Sequence, residues 1–81
     1  MLKYLQDLLK EDFFINANIV GNKLIYSQKN KSFEVYFLSE KDVFEIVIFK
    51  NNNKNKFQNY AILQNYESIR EYLQFNFLEV K

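Results

Sequence analysis

The sequence predicts an α+β fold: an antiparallel four- to five-stranded meander sheet flanked by an N-terminal and a C-terminal helix, αββββ(β)α. Three observations carry this. Leu2, Leu5, Leu8 and Leu9 recur at helical spacing at the start of the chain. Residues 13–50 hold four segments in which apolar side chains alternate with others, separated by turn signals. A second amphipathic stretch then follows Asn65.

The first helix is expected over about residues 2–11, with Lys3, Gln6, Asp7 and Lys10 on its polar face and Tyr4 widening the apolar stripe. It is expected to stop at Asp12. Phe13, Ile15, Ala17 and Ile19 then alternate with Phe14, Asn16, Asn18 and Val20, which reads as a strand with period two. Gly21-Asn22 is a two-residue hairpin signal, because glycine at the first central position permits positive φ. A strand with Leu24, Tyr26 and Gln28 on one face follows, and Lys29–Ser32 reads as a four-residue turn pairing Tyr26 with Val35.

The richest stretch is Ser32 to Lys50. Phe33, Val35 and Phe37 share one face of its first strand, and Phe44, Ile46 and Ile48 share one face of its second. An even-length loop, Glu40–Val43 or its inner pair Lys41-Asp42, puts both sets on the same side and sets Val35 opposite Ile48. A slip of one residue would send one set to the other face. All three turns then agree in placing Phe13, Ile15, Ala17, Ile19, Leu24, Tyr26, Phe33, Val35, Phe37, Phe44, Ile46 and Ile48 on one face.

Asn51–Lys56, NNNKNK, reads as a solvated loop. Residues 57–63 are a candidate fifth strand in which Tyr60/Ile62 and Ala61/Leu63 compete for the inner face. Asn65 is expected to N-cap the second helix, with Glu67 in its first turn and Tyr66, Ile69, Tyr72 and Leu73 as its apolar stripe. Phe75, Phe77, Leu78 and Val80 either extend that helix or cross the sheet. The element order is similar to the helix–three-strand–helix of double-stranded-RNA-binding domains, but the second helix reads NYESIREYL and lacks the basic run those domains place there.

At 81 residues the chain is expected to be one domain, residues 1–81. Its apolar content of 48% is far from a disordered composition. Net charge is +1, so bulk charge names no partner. No apolar run approaches the roughly 18 residues of a membrane span. The N-terminal residues are too charged for a signal-peptide core, so Asn30-Lys31-Ser32 reads as a chance glycosylation pattern. The absence of cysteine fits a reducing compartment. A cytoplasmic location is the expectation.

The chemistry open to these residues is narrow. There is no His and no Cys, and a single Gly. Those absences remove the commonest general base, the thiolate nucleophile and the Gly-rich phosphate loops. Ser27, Ser32, Ser39 and Ser68 lack the context of a nucleophile elbow. Glu34 and Glu45 share a strand face but read as solvated charges, with Glu45 opposite Leu38 and Glu34 opposite Phe49. Glu40 and Asp42 read as a charged turn, and Glu67 and Glu71 as an exposed helix face. The expectation is therefore a non-enzyme with no catalytic residues, no metal and no cofactor.

Two surfaces remain. The second sheet face carries Phe14, Ile25, Tyr36, Leu38, Val47 and Phe49 among Asn16, Asn18, Lys23, Glu34 and Glu45, too apolar for a purely solvated surface. Three readings are open: a helix covers this face and makes it core, a second copy covers it, or a different protein docks there, with Phe14, Tyr36, Leu38, Val47 and Phe49 as the candidate protein contacts. The second surface is one end of the meander, where alternate turns gather Lys29, Lys31, Lys50, Lys54 and Lys56, opposed in part by Glu11 and Asp12. Those lysines either keep two loops solvated or meet an acidic partner or phosphates. The expected function is a small protein-binding module that occupies a partner's surface, of the inhibitor, immunity, antitoxin or phage anti-defence kind. The partner is another protein or a second copy of the chain. The alternative is a nucleic-acid binder using the lysine-rich loops and sheet aromatics.

Overall fold

The computed structural model describes residues 2–50 and 57–78. Helix α1 spans Leu2–Phe13, followed by β1 (Asn18–Val20), β2 (Lys23–Ser27), β3 (Lys31–Leu38), β4 (Val43–Lys50), β5 (Phe57–Leu63) and α2 (Tyr66–Asn76). The strands form one antiparallel sheet in the order β1-β2-β3-β4-β5, the meander that the alternating pattern predicts.

Helix α1 runs one residue past Asp12, to Phe13. Its end is set by Phe14 in the left-handed region at φ 57°, whose N–H donates to the Lys10 carbonyl at 3.0 Å. This is an αL cap, a position usually held by glycine. Phe14 therefore leaves the expected strand, and β1 begins only at Asn18. The segment between is pinned by Gln6, whose Nε2 donates to the Ala17 carbonyl at 2.7 Å.

The Gly21-Asn22 turn forms as the sequence predicts, pairing Val20 with Lys23 around Gly21 at φ 63°. The next two hairpins differ in register. Lys29 and Asn30 alone make the second turn, with the Gln28 N–H bonded to the Lys31 carbonyl at 2.7 Å. Tyr26 consequently faces Phe33, not Val35. The third loop is Ser39–Asp42, with Asp42 at φ 53°, and it sets Val35 opposite Ile46, not Ile48. Both corrections are shifts of two places along one partner, so every side chain keeps its face.

The helices cover one face of this sheet. Leu5 and Leu9 of α1, and Ile69 and Leu73 of α2, are buried with Ile15, Ala17, Leu24, Phe33, Val35, Phe44, Ile46 and Ile48. Ile19, expected in this set, lies at the margin and is exposed. Pairing with β4 settles β5: Ala61 lies opposite Ile46 and Leu63 opposite Phe44, so Ala61 and Leu63 face the core and Tyr60 and Ile62 face away.

Asn65 caps α2 as expected, its Oδ1 accepting from the Ser68 N–H at 3.0 Å. Phe77 ends the helix and is fully buried. Its ring meets Phe33 edge-on at 5.0 Å and Tyr26 at 6.0 Å. At the start of α2, the Tyr66 hydroxyl donates to Asp12 Oδ2 at 2.5 Å, and Arg70 Nε lies 3.5 Å from the same oxygen. These contacts tie α2 to the end of α1. Burial is the first cause, and the bond to Asp12 the second, of a Tyr66 phenol pKa well above its ordinary value.

Candidate functional site: the helix-free sheet face

Among the described residues, no helix lies over the second face of the sheet. Its side chains fall in rows across the strands. One row runs Val20, Lys23, Tyr36, Glu45, Ile62, and the next runs Asn18, Ile25, Glu34, Val47, Tyr60. Apolar groups and charges alternate along the first, and the second holds a single charge, Glu34, between Ile25 and Val47. Val20, Tyr60 and Ile62 are the most open large apolar groups here, with Tyr60 at 47% and Ile62 at 53% exposure.

The polar groups are ordered by one another. Tyr36 donates to Glu34 Oε1 at 2.6 Å, and Lys23 Nζ approaches the same oxygen at 3.6 Å. Tyr60 donates to Glu45 Oε2 at 2.7 Å. Glu34 sits at the centre of the face and is only 7% exposed. The hydrogen bond to Glu34 is the main cause, ahead of burial and the charges of Glu34 and Glu45, of a Tyr36 phenol pKa raised to about 12. Tyr60 shifts upward too, first through its bond to Glu45. Both phenols therefore stay protonated donors at neutral pH.

The sequence-predicted contacts divide. Tyr36, Leu38 and Val47 lie on this face and are half-buried. Phe49 lies on it by register but is only 8% exposed, beside the buried Ser32. Phe14 is not on the sheet at all; at the end of α1 it is 85% exposed. Tyr60 and Ile62 were hidden by the ambiguous pattern of 57–63. The pairing of Glu34 with Glu45 is closer than the expected register gave. Glu45 faces Tyr36 and Glu34 faces Val47, leaving the two carboxylates on adjacent rows.

The basic end is only partly assembled. Lys31 and Lys50 are directly opposite across β3 and β4, next to the Lys29 turn. Lys31 is engaged, however: its Nζ donates to the Phe77 carbonyl and sits 4.9 Å from the Phe77 ring centre. It neutralises the negative end of the α2 dipole. Asp12 does not oppose this cluster, because it pairs with the other end of α2. Lys54 and Lys56 lie outside the described residues.

Among the described residues, no buried side-chain nitrogen or oxygen lacks a hydrogen-bond partner. Nor do three or more metal-ligating side chains of the His, Cys, Asp and Glu types group together there. What the helix-free face offers is a surface with carboxylate acceptors held by tyrosine hydroxyls and apolar flanks. No family model matches the sequence, and comparison with curated proteins and with solved structures finds no match either.

Proposed function

We propose that this chain is a non-enzymatic binding module that seats its helix-free sheet face on another protein. The observation that supports this is the stacking of both helices on one side, which leaves apolar and hydrogen-bonding groups together on the other. Such patches on small proteins commonly mark contact sites. The composition of the face describes the partner. One lysine stands among two carboxylates, each fixed by a tyrosine hydroxyl. A complementary surface carries Arg or Lys side chains over apolar ground.

The same carboxylates work against nucleic acid, since Glu34 and Glu45 would repel phosphates beside any stacked base. An inhibitor or immunity role, in which a small protein blocks a larger one, suits this geometry, and a cytoplasmic setting suits the absence of cysteine.

The test is a photo-reactive residue placed at Tyr36, in cells of the source organism, compared with one at Tyr4 on the outer side of α1. We expect a discrete protein adduct from position 36, absent from position 4 and abolished by Glu45→Lys. Equal labelling from both positions, or adducts to nucleic acid, would refute the proposal.

A further inference from the structure

We infer that two copies of this chain pair β5 against β5 in antiparallel fashion about a two-fold axis at Tyr60, joining their sheets into one. β5 is a sheet edge, with β4 as its only strand neighbour among the described residues. Its sequence, FQNYAIL, is seven residues long and contains neither a charge nor a proline, in a chain that is 26% charged. Natural edge strands are usually blunted by charges, proline, bulges or shortness. The other edge of this sheet follows that rule: β1 has three residues. β5 has one irregularity, a register shift opposite Ile48 and Phe49 at its first residues. From Asn59 to Leu63 it is regular.

A second copy suits this edge better than a foreign strand. With no charge, β5 offers nothing to select a charged partner, and pairing with itself sets no like charges opposite each other within the strand. Symmetry then determines the geometry. A two-fold axis perpendicular to the sheet pairs each residue with one of its own parity, so both copies keep their helices on the same side. Centring on Tyr60 sets the two tyrosines opposite each other and pairs Asn59 with Ala61, while residues 57 and 58, at the register shift, meet 63 and 62. It also places side by side the grooves that each copy forms between β5 and α2. Leu63, Ser68, Glu71, Tyr72, Phe75 and Asn76 line that groove, and Phe75 is 60% exposed there. Such self-complementary contact is the form a two-fold interface requires. It adds apolar area to what backbone hydrogen bonds provide.

The pairing would make the two helix-free faces continuous. It does not depend on the proposed use of those faces, and its test uses the purified chain alone. Sedimentation from about 1 µM to about 300 µM should show a shift, by mass action, to twice the 9.9 kDa protomer. Tyr60→Lys puts two lysines across the axis and should raise the dimer dissociation constant roughly tenfold or more, with an unchanged circular-dichroism spectrum. As the chain has no cysteine, Tyr60→Cys gives a second readout. It should oxidise to a covalent dimer, whereas Val20→Cys on the β1 side should not. A monomer across the whole range, a dimer indifferent to Tyr60→Lys, or equal cross-linking from Val20→Cys would overturn the inference. A foreign strand on β5 would appear as the first of these.

Discussion

The two faces of this sheet are made from the same strands and nearly the same kinds of residue, yet they do different work. Phe33, Val35, Ile46 and Ile48 on one side are fully enclosed by α1 and α2. Tyr36, Glu45 and Val47, next to them in sequence, lie with Tyr60 and Ile62 of β5 on the side without a helix. Hydrophobicity alone does not separate the sides. What separates them is that the centre of the helix-covered side is apolar, with Lys31 and Asn59 towards its margin bonded to α2 and its end, while the other side carries carboxylates at its centre. A helix laid over this side would have to desolvate Glu45, a loss of several kcal/mol, beside Glu34, which is already only 7% exposed. The difference teaches that placing two glutamates on a strand face can decide which side of a ribbon becomes the interior.

The comparison is broken most severely by truncating matched residues. Phe33→Ala should destabilise the fold by about 3–5 kcal/mol in urea denaturation, through cavity formation. Ile62→Ala, at the open margin, should shift it by less than about 1 kcal/mol. Similar losses from both would mean that the second face is also core.

Phe14 sharpens the boundary of the site. Replacing a left-handed phenylalanine with glycine relieves backbone strain, so Phe14→Gly should raise stability by about 1 kcal/mol and leave partner capture unchanged. Lost capture would return Phe14 to the binding surface.

The smallest effect is one of pH. The Tyr36 pKa is raised from 10.0 to about 12 in the folded chain, so its bond to Glu34 stabilises the fold fully below pH 10. That contribution is lost as the pH rises through 12. Because Tyr36 is near the surface, the size is roughly 0.5 kcal/mol. Urea midpoints of the parent and of Tyr36→Phe should differ at pH 8 and converge towards pH 12. A constant difference would show that the phenol is not held by Glu34.

Much of this layout was legible in the sequence, because side-chain parity is stricter than register. A second turn two residues shorter than expected and a third loop displaced by one position still left Leu24, Phe33, Val35, Phe44, Ile46 and Ile48 on one side. Where each loop falls depends on local turn geometry, such as the left-handed Asp42, which alternation does not encode. Residues 13–17 alternate as a strand would, but Phe13 completes α1 and Phe14 caps it, a role for which the sequence offered no glycine. The inner face of β5 came from its pairing with β4, a long-range fact. So did the diversion of Lys31 from a presumed phosphate contact to the end of α2 at Phe77. Phe49, by alternation a surface contact, is buried where it pairs with Ser32.

Ile46 and Val47 are consecutive residues of β4 that point to opposite sides, and lysine at each tests the account most directly. Ile46→Lys buries an unpaired charge and should unfold the chain. Val47→Lys lies next to Glu34 and Glu45, so a circular-dichroism melt should show a folded protein, and the partner adduct from position 36 should vanish. A Val47→Lys chain that unfolds, or that stays folded and still captures its partner, would contradict the division of labour between the two faces.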